Sequence, residues 1–132
     1  MKLDHIGIAV EDLEKAITLY RDVLGMEVSE PEDLPERKLR ISFVDVGGAK
    51  VELLCPTDPE SAVGKFLQKK GPGIHHLCYE VPDVAKQLVE LKAKGVKLID
   101  EAPRPGAHHT LVAFLHPAAA MGVLVELSQP AP

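Results

Sequence analysis

The chain says nearly the same thing twice. Asp4-His5-Ile6-Gly7-Ile8-Ala9-Val10, followed by Asp12, returns as His75-His76-Leu77-Cys78-Tyr79-Glu80-Val81, followed by Asp83. His5, Val10 and Asp12 each precede their counterparts His76, Val81 and Asp83 by one constant interval. Gly25 maps onto Gly95 with one residue lost. At a slightly longer interval, Val51-Glu52-Leu53-Leu54-Cys55-Pro56 returns as Val125-Glu126-Leu127-Ser128-Gln129-Pro130. An internal repeat of this kind makes each copy one supersecondary unit, and it limits the fold to those built from two such units.

Each unit reads as strand, helix and three further strands. In the first, residues 4–10 form a strand and residues 12–24 a helix with Leu13, Ala16, Ile17, Tyr20 and Leu24 on one face. Asp12 is its N-cap and Gly25 its stop. Strands follow at 26–29 and 39–46, and Gly47-Gly48 turns the chain into the strand that carries Glu52. In the second unit Asp83 caps a helix bearing Val84, Leu88 and Leu91, ended by Gly95, with strands at 96–99 and 110–115. Residues 61–70 read as a linker helix ended by Gly71-Pro72-Gly73. The expected fold is α+β: two tandem βαβββ modules forming an eight-stranded open half-barrel sheet with helices on the outer face. A single domain is expected over 1–132, with module one at about 1–57, the linker helix at about 61–70 and module two at about 73–130.

Composition narrows the function. With 132 residues and 45% hydrophobic content, the chain is long enough for a real core. The net charge of −5, the lack of a basic block and 4% aromatic content with no Trp speak against nucleic-acid binding. No apolar run approaches the ~20 residues of a membrane span. An acidic residue at Asp4 breaks any leader pattern, so a cytoplasmic protein is expected. Cys55 and Cys78 are too few for a disulfide framework and are read as reduced.

Side chains alternate across a strand. Ile6, Ile8 and Val10 share one face and His5, Gly7 and Ala9 the other. Leu77, Tyr79 and Val81 likewise oppose His76, Cys78 and Glu80. Val51, Leu53 and Cys55 oppose Glu52, and Val125 and Leu127 oppose Glu126. One face is thus apolar and packs on helices. The other carries a His or a Glu among mostly small or polar residues. A carboxylate placed inside a cup is costly unless it is paired or bound to metal. Imidazole nitrogens and carboxylate oxygens together suit a divalent transition metal with positions left for substrate. A lone strand His is commonly a packed or surface residue. His, Glu, His and Glu at equivalent places of a duplicated unit form a different pattern.

These residues resemble the vicinal oxygen chelate superfamily, built from paired βαβββ modules. The resemblance runs from about Leu3 to Gln129. It is carried by Asp4 to Val10, Tyr20 to Met26, Leu34 to Arg37, Val51 to Pro56, Phe66 to Lys69, Gly73 to Cys78, Gly106 to His108, Phe114 to Pro117 and Gly122 to Leu127. It implies that His5, His76 and Glu126 are metal ligands and that Glu52 is a further ligand or a catalytic residue. The implied metal is a divalent ion, cobalt first, with manganese, nickel or zinc as alternatives. The branch it most resembles epimerises the acyl-CoA methylmalonyl-CoA, which implies proton abstraction at C2 through a metal-stabilised enolate, with Glu52 and Glu126 as the proton-transfer groups. A homodimer is also implied, in keeping with the need to cover open sheet edges.

The chain departs from that branch at His109-Thr110 and at Ala118-Ala119-Ala120-Met121, where Lys-containing pairs are common; if those basic residues touch CoA phosphates, the CoA contacts here differ. Lys38, Arg40, Lys65, Lys69 and Lys70 are candidates for CoA phosphates. His75, His108, His109 and His116 read as structural, loop and turn-capping residues. Two other readings share the scaffold: a glyoxalase-type lactoylglutathione lyase or another metal enzyme of the superfamily, and a metal-free small-molecule binding protein.

Overall fold

The computed structural model describes Met1–Pro132. It contains eight strands and forms two compact units, His5–His75 and a second made of Met1–Asp4 with His76–Pro132.

In the first unit β1 (Lys2–Ala9) lies parallel to β4 (Lys50–Pro56), which pairs antiparallel with β3 (Leu39–Asp45), which pairs in turn with the short β2 (Glu32–Leu34). A parallel pair needs a crossover, and α1 (Leu13–Ile17) begins it. Asp12 caps α1 as expected, its carboxylate accepting the Lys15 N–H at 3.1 Å. After Ile17 the predicted helix changes character. Residues Thr18–Val23 wind more loosely, with the Leu24 N–H donating to the Leu19 carbonyl at 2.9 Å, five residues back. The Gly47-Gly48 turn has φ of 78° and 91°, a backbone that only glycine adopts without strain, and the Val46 N–H donates to the Ala49 carbonyl at 3.1 Å.

The second unit repeats the plan. Here β5 (Gly73–Glu80) lies parallel to β8 (Val125–Gln129), which pairs antiparallel with β7 (Leu111–Leu115), and β7 pairs with the two-residue β6 (Arg104–Pro105). Helix α3 (Val84–Ala93) is capped by Asp83, which accepts the Lys86 N–H at 3.1 Å.

Two predicted strands are corrected. Residues 26–29 make only a bridge at Val28↔Val44, and residues 96–99 only a bridge at Leu98↔Leu115. The cause is the same in both places. The Phe43 N–H, which would extend a ladder, donates instead to Ser29 Oγ at 2.8 Å, and the Phe114 N–H donates to Asp100 Oδ2 at 2.8 Å. Short polar side chains compete with backbone carbonyls for such amides and end the pairing.

Alternation holds on both units. Leu13 and Ile17 of α1 pack on Val44 and Leu53, and Val84 and Leu88 of α3 pack on Val81, Ala113 and Leu127. Each buried Val, Leu or Ile among them contributes about 1.5–3 kcal/mol. Helix α2 (Ala62–Lys70), which fills the predicted linker position, takes the other side. Its Val63, with Phe66 and Leu67 beside it, packs on Ala9, Leu39, Ile41 and Leu54, the face that Leu54 shares with Glu52. The expectation that this face is mostly small or polar therefore fails beyond Glu52 in the first unit. There the face is apolar because a helix covers it.

Candidate metal centre

Each unit brings one His and one Glu together, by the same construction. In the parallel β1–β4 pair Gly7 stands opposite Glu52, so His5 projects from the same face two residues earlier. In the β5–β8 pair Cys78 stands opposite Glu126, and His76 again lies two residues earlier. His5 Nε2 is 3.3 Å from Glu52 Oε1, and His76 Nε2 is 3.1 Å from Glu126 Oε1.

All four residues are buried. Glu52 and Glu126 are each 3% exposed, His76 2% and His5 8%. Carboxylates so far from water are tolerated only with a hydrogen-bonding, charged or metal partner. The donor geometry fits a cation. Two ligand atoms bound next to one another, each ~2.1 Å from a metal, stand about 3.0–3.4 Å apart, which is the spacing seen in both pairs. The donor set, imidazole nitrogen with carboxylate oxygen, is that of a first-row divalent ion.

An aromatic ring backs each histidine. Phe43 lies opposite Glu52 across β3–β4, and its ring meets the His5 imidazole edge to face, with centroids 6.4 Å apart and planes at 77°. Phe114 lies opposite Glu126 across β7–β8 and meets His76 at 5.9 Å and 80°. Neither phenylalanine emerges from a search for polar ligands. The repeat was the available signal, because Phe114 follows Phe43 at the same interval that separates the two histidines.

The remaining histidines play lesser parts. His75 rests edge to face on Phe66 at 4.9 Å, a packing contact as expected. His116 caps the turn Pro117–Ala120, its Nδ1 accepting the Ala118 N–H at 3.0 Å. His108 and His109 lie in a tight turn with φ of 55° and 63°. Two of the basic candidates for CoA phosphates are engaged in the chain's own ion pairs. Lys38 meets Asp58 at 3.2 Å, and Arg40 meets Glu14 at 2.9 Å and Asp33 at 3.5 Å. Lys70 stands over the Phe66 ring at 5.8 Å. Neither cysteine forms a disulfide, and burial pushes the Cys55 thiol up from its ordinary value, which keeps it protonated.

Two modules, each holding a buried His–Glu pair between its first and last strands, define a class, and sequence comparison places the chain in it. The profile of the Glyoxalase/Bleomycin resistance protein/Dioxygenase superfamily matches residues 4–114, and the chain belongs to that superfamily. Within it, the mitochondrial methylmalonyl-CoA epimerase of Mus musculus is 46% identical over 129 residues, 97% of this chain and 72% of the relative. The crystal structure of methylmalonyl-CoA epimerase from Mycobacterium tuberculosis is similar with a TM-score of 0.92 and 41% identity, covering 99% of this chain and 89% of that one. A methylmalonyl-CoA epimerase solved in complex with methylmalonyl-CoA and NH4+ is similar with a TM-score of 0.90 and 36% identity, covering 99% of this chain and 98% of that one. The expected eight-stranded α+β fold is the one these epimerase structures share.

Proposed function

We propose that the chain is a metal-dependent epimerase of methylmalonyl-CoA. His5, His76 and Glu126 hold the ion, and Glu52 stands as a fourth ligand or as a base beside it. The observation that carries the reading is the buried His–Glu pair at 3.3 Å in one unit, repeated at 3.1 Å in the other. The likeness to epimerases along almost the whole chain supports the choice of substrate. A divalent cation, cobalt first and manganese, nickel or zinc otherwise, supplies Lewis-acid stabilisation of charge that develops on the substrate's oxygens.

The rest is the work of the chain's own residues. Inversion at C2 needs one group to take a proton and another to return one on the opposite side of a planar enolate. Glu52 and Glu126 come from equivalent strands of the two modules and are assigned that exchange. The apolar packing around Ala9, Leu54 and α2 keeps bulk water from the side of Glu52. The substrate is a free acyl-CoA.

A symmetric homodimer, the commonest closed assembly, is the one we assign. Two cysteines without a disulfide suit a reducing compartment such as the cytoplasm.

The test is proton exchange. The protein loaded with cobalt and given methylmalonyl-CoA in deuterated water is expected to place deuterium at C2 of both epimers. Metal-loaded protein that leaves C2 unexchanged contradicts the reading.

A further inference from the structure

The His–Glu pairs are not the only elements of the site that repeat. Ser29 and Asp100, Phe43 and Phe114, and His5 and His76 are all separated by the same interval along the chain. In each unit these residues form one chain of contacts. The Ser29 hydroxyl accepts the Phe43 N–H at 2.8 Å, and the Phe43 ring meets His5, whose Nε2 faces Glu52. The Asp100 carboxylate accepts the Phe114 N–H at 2.8 Å, and the Phe114 ring meets His76, whose Nε2 faces Glu126.

We propose that Phe43 and Phe114 are positioning residues, each fixing the ring plane of its module's histidine so that Nε2 stays aimed at the carboxylate. The inference rests on the reading of His5 and His76 as metal ligands. An imidazole on a strand keeps rotational freedom about its second side-chain torsion. An aromatic ring at 77–80° to it, with centroids 5.9–6.4 Å apart, favours one orientation over the others. The phenylalanine is itself held. Its strand pairs it across from the glutamate, and a side-chain acceptor in place of a ladder partner anchors its amide.

The two supports differ in what touches the ring. Arg104 stands over the Phe114 ring at 5.3 Å and is itself held by Asp100 at 3.4 Å, so guanidinium, ring and carboxylate brace one another. Phe43 is half-buried and borders an open cleft of about 470 Å³ that Ser29, Asp45 and Lys50 also line.

The test compares Phe114→Leu, Phe43→Leu and Phe43→Tyr with the wild-type protein. The first readout is the imidazole 15N resonances of the metal-free protein at one pH. Phe114→Leu is expected to shift and broaden those of His76 and leave His5 as it was. Phe43→Leu is expected to do the reverse, and Phe43→Tyr, which keeps the ring, to restore the wild-type signals. General loosening of the fold would move both histidines together. The second readout is Co2+ affinity by visible absorption, expected to fall about 10-fold in each Leu variant, more at Phe114, and to recover in Phe43→Tyr. Leu variants with wild-type imidazole signals and wild-type Co2+ affinity overturn the proposal while leaving the metal reading intact. Wild-type protein that fails to bind Co2+ removes the metal reading instead, and the imidazole signals still decide whether the rings position the histidines.

Discussion

The two modules share a frame and differ in what surrounds it. Strand register, the His–Glu pair, the phenylalanine behind the histidine and the acceptor for its amide recur in both. Beyond the glutamate they part. In the first module the next inward residue is Leu54, buried with Ala9 under α2. Its counterpart in the second is Ser128, with Glu80 in place of Ala9, and Glu80 meets Lys2 at 3.6 Å beside an open cleft lined also by Gln129. Duplicated units keep what the chemistry needs from both halves and are free to diverge where only one half needs sealing. The repeated residues include the His–Glu pairs to which the proposed reaction is assigned and the helix caps, and the unrepeated ones line α2 and the cleft beside Glu80.

The largest expected effect lies in the frame. Glu52→Gln is expected to lower epimerisation by ~10²–10⁴, the usual worth of a positioned acid or base, and to keep most bound metal. Glu126→Gln is expected to lose metal as well as turnover, because it removes a ligand charge. Turnover and metal content measured on the same samples decide this. Full activity in metal-loaded Glu52→Gln makes Glu52 a ligand only.

The next effect lies in the surroundings, where the modules should respond unequally. Leu54→Ala opens a cavity under α2 and is expected to cost ~2–5 kcal/mol in urea unfolding. Ser128→Ala, the equivalent change, is expected to cost no more than ~1.5 kcal/mol. Equal losses would mean that the second module is sealed as tightly as the first.

The helix caps should behave alike. Asp12→Ala and Asp83→Ala each remove an acceptor 3.1 Å from a backbone N–H and are expected to cost ~1 kcal/mol. A clear difference between them in thermal melts would show that the looser turn after Ile17 changes the worth of the first cap.

The last effect is a change of sign. Ser42 and Ala113 are equivalent, both are fully buried on the helix-facing side, and the Ser42 hydroxyl makes no hydrogen bond. Ser42→Ala is expected to be neutral or stabilising by up to ~1 kcal/mol, and Ala113→Ser to be destabilising by ~1–3 kcal/mol. Calorimetry that finds Ser42→Ala destabilised by more than ~1 kcal/mol would reveal a partner for that hydroxyl.

The repeat made much of this legible in the sequence. Strand alternation put His5, Glu52, His76 and Glu126 on the inner side of their strands, and the structure pairs them as the register requires. The caps at Asp12 and Asp83 and the turn at Gly47-Gly48 follow from local rules that tertiary packing did not override. The failures also have local causes. Residues 26–29 and 96–99 carry strand propensity, yet Ser29 and Asp100 take the amides that a full ladder would use. Apolar spacing alone does not mark where α1 loosens after Ile17, because the sequence pattern runs on through Tyr20 and Leu24, although Leu24 is exposed in the structure. Phe43 and Phe114 read as ordinary strand hydrophobics until the histidines they touch are placed. Which face α2 would cover was hidden as well, since a linker helix contacts whatever the chain reversal brings beneath it.

The account stands on the claim that the two His–Glu pairs serve a single ion. Metal-free protein should be titrated with Co2+ and the bound ion counted per chain, in the wild type, in His5→Ala and in His76→Ala. One ion per wild-type chain, with affinity collapsing in both variants, is the predicted result. Two ions per chain, each lost only with the histidine of its own module, would contradict it, because the pairs would then be separate sites rather than halves of one.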